Sequence, residues 1–443
     1  MESSVLIAGS ILVGALLVVV VAALGKAGRE KMSRQTEFNE TDDAQEPEAA
    51  TRRQRPPADR APQHAFRHAL LAASLQAHCA NVTCLDFSSN GKYLASCARD
   101  HTVRIWSTKD FLDRDHRRLC ADVERDHATL VRFSPDSRAF IAWLANGETV
   151  RVFRIGKQDD GSFVFEASPN DFPRQPKENI VNIGVAETGN FIMTAFSDTT
   201  ILIWDLKGEV LATINTNQVA LSYASISPCG RFVASCGLTR DVKVWEVCFG
   251  ESGEFREVVR AFDLKGHSTN VYAFAFSEDS CRMVTVSKDG TWKLWDTNVE
   301  YRQHQEPYLL RTAECQVSEG CRIALSPDAR VMAVSSGHSV AMFSTDSGEL
   351  EEEFYDVHSE VVRDLRFDLS SRYLVCSGDH IVRVFHNAPG YRAVIRDMEA
   401  MLKKASTEDM HQRLRQQIRD AQSALENLYA ATKNYTHIHT DCL

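Results

Sequence analysis

Apolar and polar residues alternate along most of this chain in short runs closed by turns, and one 11-residue shape recurs seven times. It reads FSSNGKYLASC from Phe87, FSPDSRAFIAW from Phe133, VAETGNFIMTA from Val185 and ISPCGRFVASC from Ile226. Later copies are FSEDSCRMVTV from Phe276, LSPDARVMAVS from Leu325 and FDLSSRYLVCS from Phe367. Each predicts the end of one strand, a turn rich in Pro, Asp, Asn and Gly, and a second strand. A third strand ends in an aromatic residue 18 to 20 positions on: Trp106, Phe153, Trp204, Trp245, Trp295, Phe343 or Phe385. Copies begin 41 to 52 residues apart, a period that marks repeated supersecondary units. A lone unit cannot bury its own apolar face, so seven must pack around one axis. The pattern therefore predicts an all-β fold, a seven-bladed propeller over residues 64–388. Phe66 to Gln76 is apolar enough to return as the outer strand of the last blade, closing two open sheet edges. Its Ala and Leu residues would also suit a helix.

Both ends depart from this pattern. Val5 to Leu24 form 20 consecutive uncharged residues, long enough as a helix to cross a hydrocarbon core of roughly 30 Å. Lys26, Arg29, Lys31 and Arg34 come next, so the charge bias predicts an N-terminal transmembrane helix (residues 1–25) with everything after it in the cytosol. A cleaved signal peptide, with Ala22–Gly25 as the cleavage site, is the competing reading, but its basic n-region is missing. Residues 26–63 are charged, carry four prolines and read as a disordered tether. Arg52, Arg53, Arg55 and Arg60 make a basic spot there, either a solvated linker face or a contact for anionic lipid or RNA. After Pro389–Gly390 the apolar residues fall at three- and four-residue steps: Ile395, Met398, Leu402, then Met410, Leu414, Ala421, Leu425 and Leu428. This predicts two C-terminal helices over 389–432, split at Ser406–Thr407, and a short tail at 433–443. The stripe is expected to pack on the propeller, with self-association through these helices as the alternative.

Composition narrows the function. A net charge of −10 and a pI near 5.9 argue against a protein built mainly to grip nucleic acid. Twelve cysteines lack metal-ligand spacing, and several sit within strands as small apolar residues, which fits a reducing compartment. There is no Gly-rich phosphate loop, HExxH or GxSxG. No catalytic residue, metal site, cofactor or small-molecule substrate is expected. The sequons at Asn39, Asn81 and Asn434 should carry no glycan on a cytosolic domain.

The repeats resemble the WD-repeat family. Four blades carry an Asp six positions before the aromatic, namely Asp100, Asp198, Asp289 and Asp379, and Gly266–His267 is a full Gly-His pair. His78, His127 and His358 are read at the same place as His267. The resemblance implies that His78, Asp100 and Trp106 in blade one, and His267, Asp289 and Trp295 in blade five, form a buried network that staples the blade. Blades three, four and six lack the His, so there the network is absent or rebuilt. The resemblance also marks a partner-binding mouth: Asn81, Thr83 and Arg99 in blade one, and Asn270, Tyr272 and Lys288 in blade five. Ser197, Arg363 and Arg240 match the same positions. Tyr and Arg are frequent interface anchors, and clustered Arg and Lys favour acidic or phosphorylated segments.

The expected function is a non-enzymatic, single-pass membrane scaffold. Its propeller would bind cytosolic proteins, or the cytosolic parts of endoplasmic reticulum membrane proteins such as resident kinases. A span of about 20 residues suits that thinner bilayer. RNA binding or translation control at the same membrane is one alternative. A substrate receptor for a ubiquitin ligase is another, although the Arg expected two residues after a Trp-Asp pair is missing: Lys207 stands there after Trp204–Asp205, and Asn298 after Trp295–Asp296.

Overall fold

The computed structural model describes residues 66–113, 116, 118–157, 163–175, 179–404 and 407–437. The expected span at Val5–Leu24, the arginine-bearing linker and the sequon at Asn39 lie outside the described residues. Among the described residues no helix is long and apolar enough to cross a membrane.

The 11-residue shape has a local cause. Its second residue, Ser134, Ser277 or Ser326, donates from Oγ to an Asp two positions on, at 2.5 to 2.6 Å. The same Oγ accepts the amide that re-enters the sheet, from Ala139, Arg282 or Val331. One residue beyond that Asp the backbone turns left-handed. Gly91, Gly189 and Gly230 take this position at φ of 68 to 70°, and Ser137, Ser280 and Ala329 take it at 57 to 58°. Glycine adopts this conformation freely, whereas an L side chain there costs roughly 1–2 kcal/mol.

Among the described residues, twenty-eight strands build seven four-stranded antiparallel sheets. The inner strands are β2 (Val82–Phe87), β6 (Ala128–Phe133), β10 (Ile180–Val185), β14 (Leu221–Ile226), β18 (Val271–Phe276), β22 (Ile323–Leu325) and β26 (Asp364–Phe367). Each inner strand touches the next around the ring, and β26 returns to β2. The core lies between blades. Ala95, Cys97 and Val103 of blade one pack with Val131, Phe140 and Phe153 of blade two. Leu85, Leu94 and Trp106 pack with Val375 and Val382 of blade seven. Each buried large side chain contributes about 1.5–3 kcal/mol, so an isolated blade would forfeit most of its core.

Ring closure uses both ends of the propeller segment. β1 (Leu71–Gln76) pairs antiparallel with β28 (Ile381–His386), Leu75 facing Val382 and Gln76 facing Ile381. Of the stretch from Phe66, only Leu71–Gln76 is strand; Phe66 meets Phe385 edge-on at 5.7 Å and Leu70 is fully buried.

Asn387 caps the first C-terminal helix by accepting the Gly390 amide at 3.0 Å. Helix α1 (Ala388–Lys404) and helix α2 (Glu408–His437) form a hairpin. It docks on blade six through β25 (Leu350–Phe354). Arg392 reaches Glu351 and Glu352, Arg396 reaches Glu351, and the Tyr429 hydroxyl donates to Glu352 at 2.8 Å. Arg330 pairs with Asp397 at 2.8 Å. Ile395 is buried as its spacing predicts, whereas Met410 of the same stripe remains half-exposed; Ile418, outside the stripe, is buried as well.

Candidate protein-binding mouth

The mouth is the end of the ring where each inner strand begins and each second strand finishes. The Val82, Leu221, Val271 and Val362 amides bond carbonyls of the preceding blade's turn, at Asp379, Ser197, Thr239 and Gly337. These bonds stitch neighbouring blades side by side and bring their turns to one face. The Arg99 and Lys288 amides bond the Asn81 and Asn270 carbonyls at 3.2 and 2.9 Å, and the Ser197 amide bonds Asn179. The expected residues of blades one and five therefore come together in matching pairs.

Thr83 and Tyr272 each sit in a β-bulge, where the strand register slips between Val82 and Cys84 and between Val271 and Ala273. A bulge re-aims the extra side chain. Tyr272 lies half-buried against the cluster that holds Cys321 and Ile323, and burial pushes its hydroxyl pKa up, so it stays a neutral donor. Thr83 is partly committed, donating to the Cys97 carbonyl at 3.3 Å. Arg99, Arg240, Lys288 and Arg363 are exposed. α1 meets the propeller around Arg330 and Ser344, at the opposite end of the strands, so the helical hairpin leaves the mouth open.

Beneath the mouth lie the blade networks. In blade five His267 Nδ1 stands 3.0 Å from Asp289 Oδ2 and Nε2 stands 2.8 Å from Thr285 Oγ1. Trp295 Nε1 donates to the same Thr285 oxygen at 3.0 Å. Blade one repeats this with His78, Asp100, Ser96 and Trp106, at 2.8 to 2.9 Å. The Asp is thus joined to the Trp through the His and a hydroxyl that sequence reasoning left out. Burial pulls the Asp289 carboxyl up, but bonds from Thr291, the Ser268 amide and His267 outweigh it and hold the group below the usual carboxylate range. Burial holds the His267 and His358 imidazoles below their ordinary value. Both are structural groups shut away from the mouth.

Blades three, four and seven keep or rebuild parts of the network. Gln218 takes the histidine's part in blade four, accepting from Ser235 Oγ at 2.7 Å and donating to Thr239 Oγ1 at 3.0 Å. In blade three Trp204 donates to Thr194 at 2.9 Å. His358 in blade seven stands 3.1 Å from Asp379 and 2.8 Å from the buried Arg383 guanidinium. His127 is a correction. It stands six residues before the end of its inner strand, where His78, His267 and His358 stand nine before theirs. In blade two Asp126 does the work instead, accepting the Asn146 and Gly147 amides at 3.0 and 2.8 Å.

A signal for the missed hydroxyl was present. Ser96, Thr194, Ser235 and Thr285 each stand ten residues before a Trp. In the blades anchored by Phe the position equivalent to that hydroxyl, two residues beyond the one opposite the anchor, holds Ala142, Val334 or Cys376, and a phenyl ring has no N–H to satisfy.

Comparison with known proteins agrees with this architecture. The WD domain, G-beta repeat family matches residues 70–107, 208–246, 258–296 and 350–386. Transducin beta-like protein 2 of Mus musculus is 57% identical over 430 residues, covering 96% of this chain and 97% of that one. The Homo sapiens protein of the same name is 60% identical over 374 residues, 84% of each. The chain belongs to the transducin beta-like protein 2 family of WD-repeat propellers. A more distant likeness is to actin-interacting protein 1 of Drosophila melanogaster, 27% identical over 242 residues, 53% of this chain and 36% of that one. WD-repeat propellers are generally scaffolds suited to protein–protein contact. Among the described residues no group of three or more His, Cys, Asp or Glu is placed to hold a metal ion.

Proposed function

We propose that this chain is a membrane-tethered scaffold whose propeller holds cytosolic protein segments at its mouth, on the endoplasmic reticulum surface. One observation carries the reading. The side chains of Arg99, Arg240, Lys288 and Arg363 make no hydrogen bond or ion pair among the described residues, while residues beside them are committed to the fold. Cations left over at the end of a rigid ring suit an acidic or phosphorylated segment, and Tyr272 adds a broad, stiff contact face. The tether and its orientation rest on the apolar run Val5–Leu24 and the cations after it.

The test is proximity labelling from the intact, anchored protein. Losing one buried interface anchor typically costs about 2 kcal/mol or more, near thirtyfold in affinity. A Tyr272→Ala, Lys288→Glu, Arg363→Glu variant should lose most labelled proteins and keep its melting temperature. Deletion of 395–428 should spare that set. The opposite pattern would make the helices the binding element. RNA is the second reading, since the same cations attract phosphates, and crosslinking to RNA that survives loss of the Arg52–Arg60 spot but not the triple change would favour it.

A further inference from the structure

Blade six lacks a side chain that its six fellows carry. The aromatic anchor of every third strand packs against the preceding blade. The residue two positions before the anchor shares that face, because side chains alternate along a strand. Six blades put a long side chain there: Arg104, Arg151, Leu202, Lys243, Lys293 and Arg383. Blade six has Ala341. A groove of about 620 Å3 runs between blades five and six over that alanine, and no inner-strand residue lines it.

Blade four shows what is missing. Its Lys243 ammonium donates to the Thr216 carbonyl of blade three at 2.8 Å. Thr216 follows the outer strand of blade three, and its amide bonds Thr199 in the turn before the third strand. Cys315 stands at the matching place in blade five, its amide bonding Gly290 at 2.9 Å, and it lines the groove. Ala341 cannot reach it. The charged residues lining the groove are Asp289, Glu314 and Glu353, all of them acidic. Asp289 is spent on its blade network. Glu314 is exposed and its carboxylate has no hydrogen bond or ion pair among the described residues, while Glu353 accepts the Tyr355 hydroxyl at 2.5 Å. Arg311 does not replace the missing cation, because it crosses to blade six further from the mouth and donates to the Ser347 carbonyl at 3.1 Å. Leu350 and Tyr355 are exposed on the outer wall.

We infer that this groove receives one lysine or arginine side chain from an extended segment of a protein partner, in the place that blade four fills with its own lysine. The cationic head meets Glu314 and Glu353, and its methylene stem lies along Ala341 and Phe343. Leu350 and Tyr355 give apolar residues beside that cation a surface to cover. A wall with acids and no cation attracts a positive group and repels an acidic one. Lys288 and Arg363 do not line the groove. It is a second surface of opposite sign to the mouth, and it does not depend on what the mouth binds.

Short peptides test this directly. The full chain in nonionic detergent micelles would be titrated with acetyl-Ala-Val-Lys-Val-Ala-amide and with its Arg, Gln and Glu counterparts at the central position, followed by ligand-observed NMR. The Lys or the Arg peptide should bind, and the Gln and Glu peptides should not; the tighter of the two cations identifies the preferred residue. Ala341→Lys supplies from within the cation that blades four and five carry, so it should fold and weaken binding by about tenfold or more. Glu314→Gln should weaken it by a similar factor, the loss expected for one charge-assisted bond. The Tyr272, Lys288 and Arg363 triple variant should bind these peptides unchanged. If Ala341→Lys does not fold, Glu314→Gln decides alone, since Glu314 is exposed and holds nothing in the blade. Equal binding of the Gln peptide, no binding of either cationic peptide at millimolar concentration, indifference to Ala341→Lys or Glu314→Gln, or loss of binding in the triple variant would each overturn the inference.

Discussion

Lys288 and Asp289 are neighbours in the chain and opposites in the fold. The Asp289 carboxylate takes the His267 imidazole, the Ser268 amide and the Thr291 hydroxyl. The Lys288 amine is exposed and spends nothing on the blade. Arg99 and Asp100 repeat the contrast in blade one, where Asp100 binds His78 and Thr102. One turn therefore carries a residue that holds the blade together and a residue the blade does not need. Stability and recognition should be separable within two adjacent positions.

The hydroxyl at the centre of the network gives the largest expected effect. Thr285→Val leaves both His267 Nε2 and Trp295 Nε1 without their shared partner, at about 1–3 kcal/mol for each unsatisfied group. A clear fall in melting temperature is expected, with partner binding intact in whatever fraction stays folded. Asp289→Ala comes next at roughly 1–3 kcal/mol, while Asn298→Ala, exposed beyond the strand, should stay within about 0.5 kcal/mol. Equal losses for those two, in parallel thermal melts, would deny the network its role in holding the blade.

Acid sharpens the contrast further. The folded-state pKa of His267 lies below its ordinary value, so the unfolded chain takes up a proton first as pH falls below about 6.5. Stability is then lost on the acid side, by at most about 1.4 kcal/mol per pH unit for each such histidine. Blade four does the same job with Gln218, which has no proton to gain. His267→Gln should flatten the fall in stability between about pH 6.5 and 5, measured by denaturant melts across that range. An unchanged slope would mean that His267 does not titrate in the unfolding reaction. Smallest of all, Arg99→Gln should alter stability by no more than about 0.5 kcal/mol.

Residues differ in how far the sequence exposes them. The seven blades are legible because turn, strand and aromatic anchor recur at a nearly constant spacing, and the Ser or Thr ten residues before each of the four Trp anchors was legible in the same way. His127 was misaligned because any His just upstream of a strand looks alike until the strand's end is counted. Asp364 and Asp86 could not have been read: they bind amides 279 and 47 residues away in neighbouring blades, and only the closed ring brings those groups together.

The most direct measurement pairs the two neighbours in one experiment. Lys288→Glu and Asp289→Ala would be made separately in the intact, anchored protein, and each variant scored for melting temperature and for the proteins labelled in its proximity. Lys288→Glu should melt like the parent and lose partners, while Asp289→Ala should melt lower and keep them below its transition. If Lys288→Glu keeps every partner, or if the two variants lose stability and partners together, the mouth is not the binding surface.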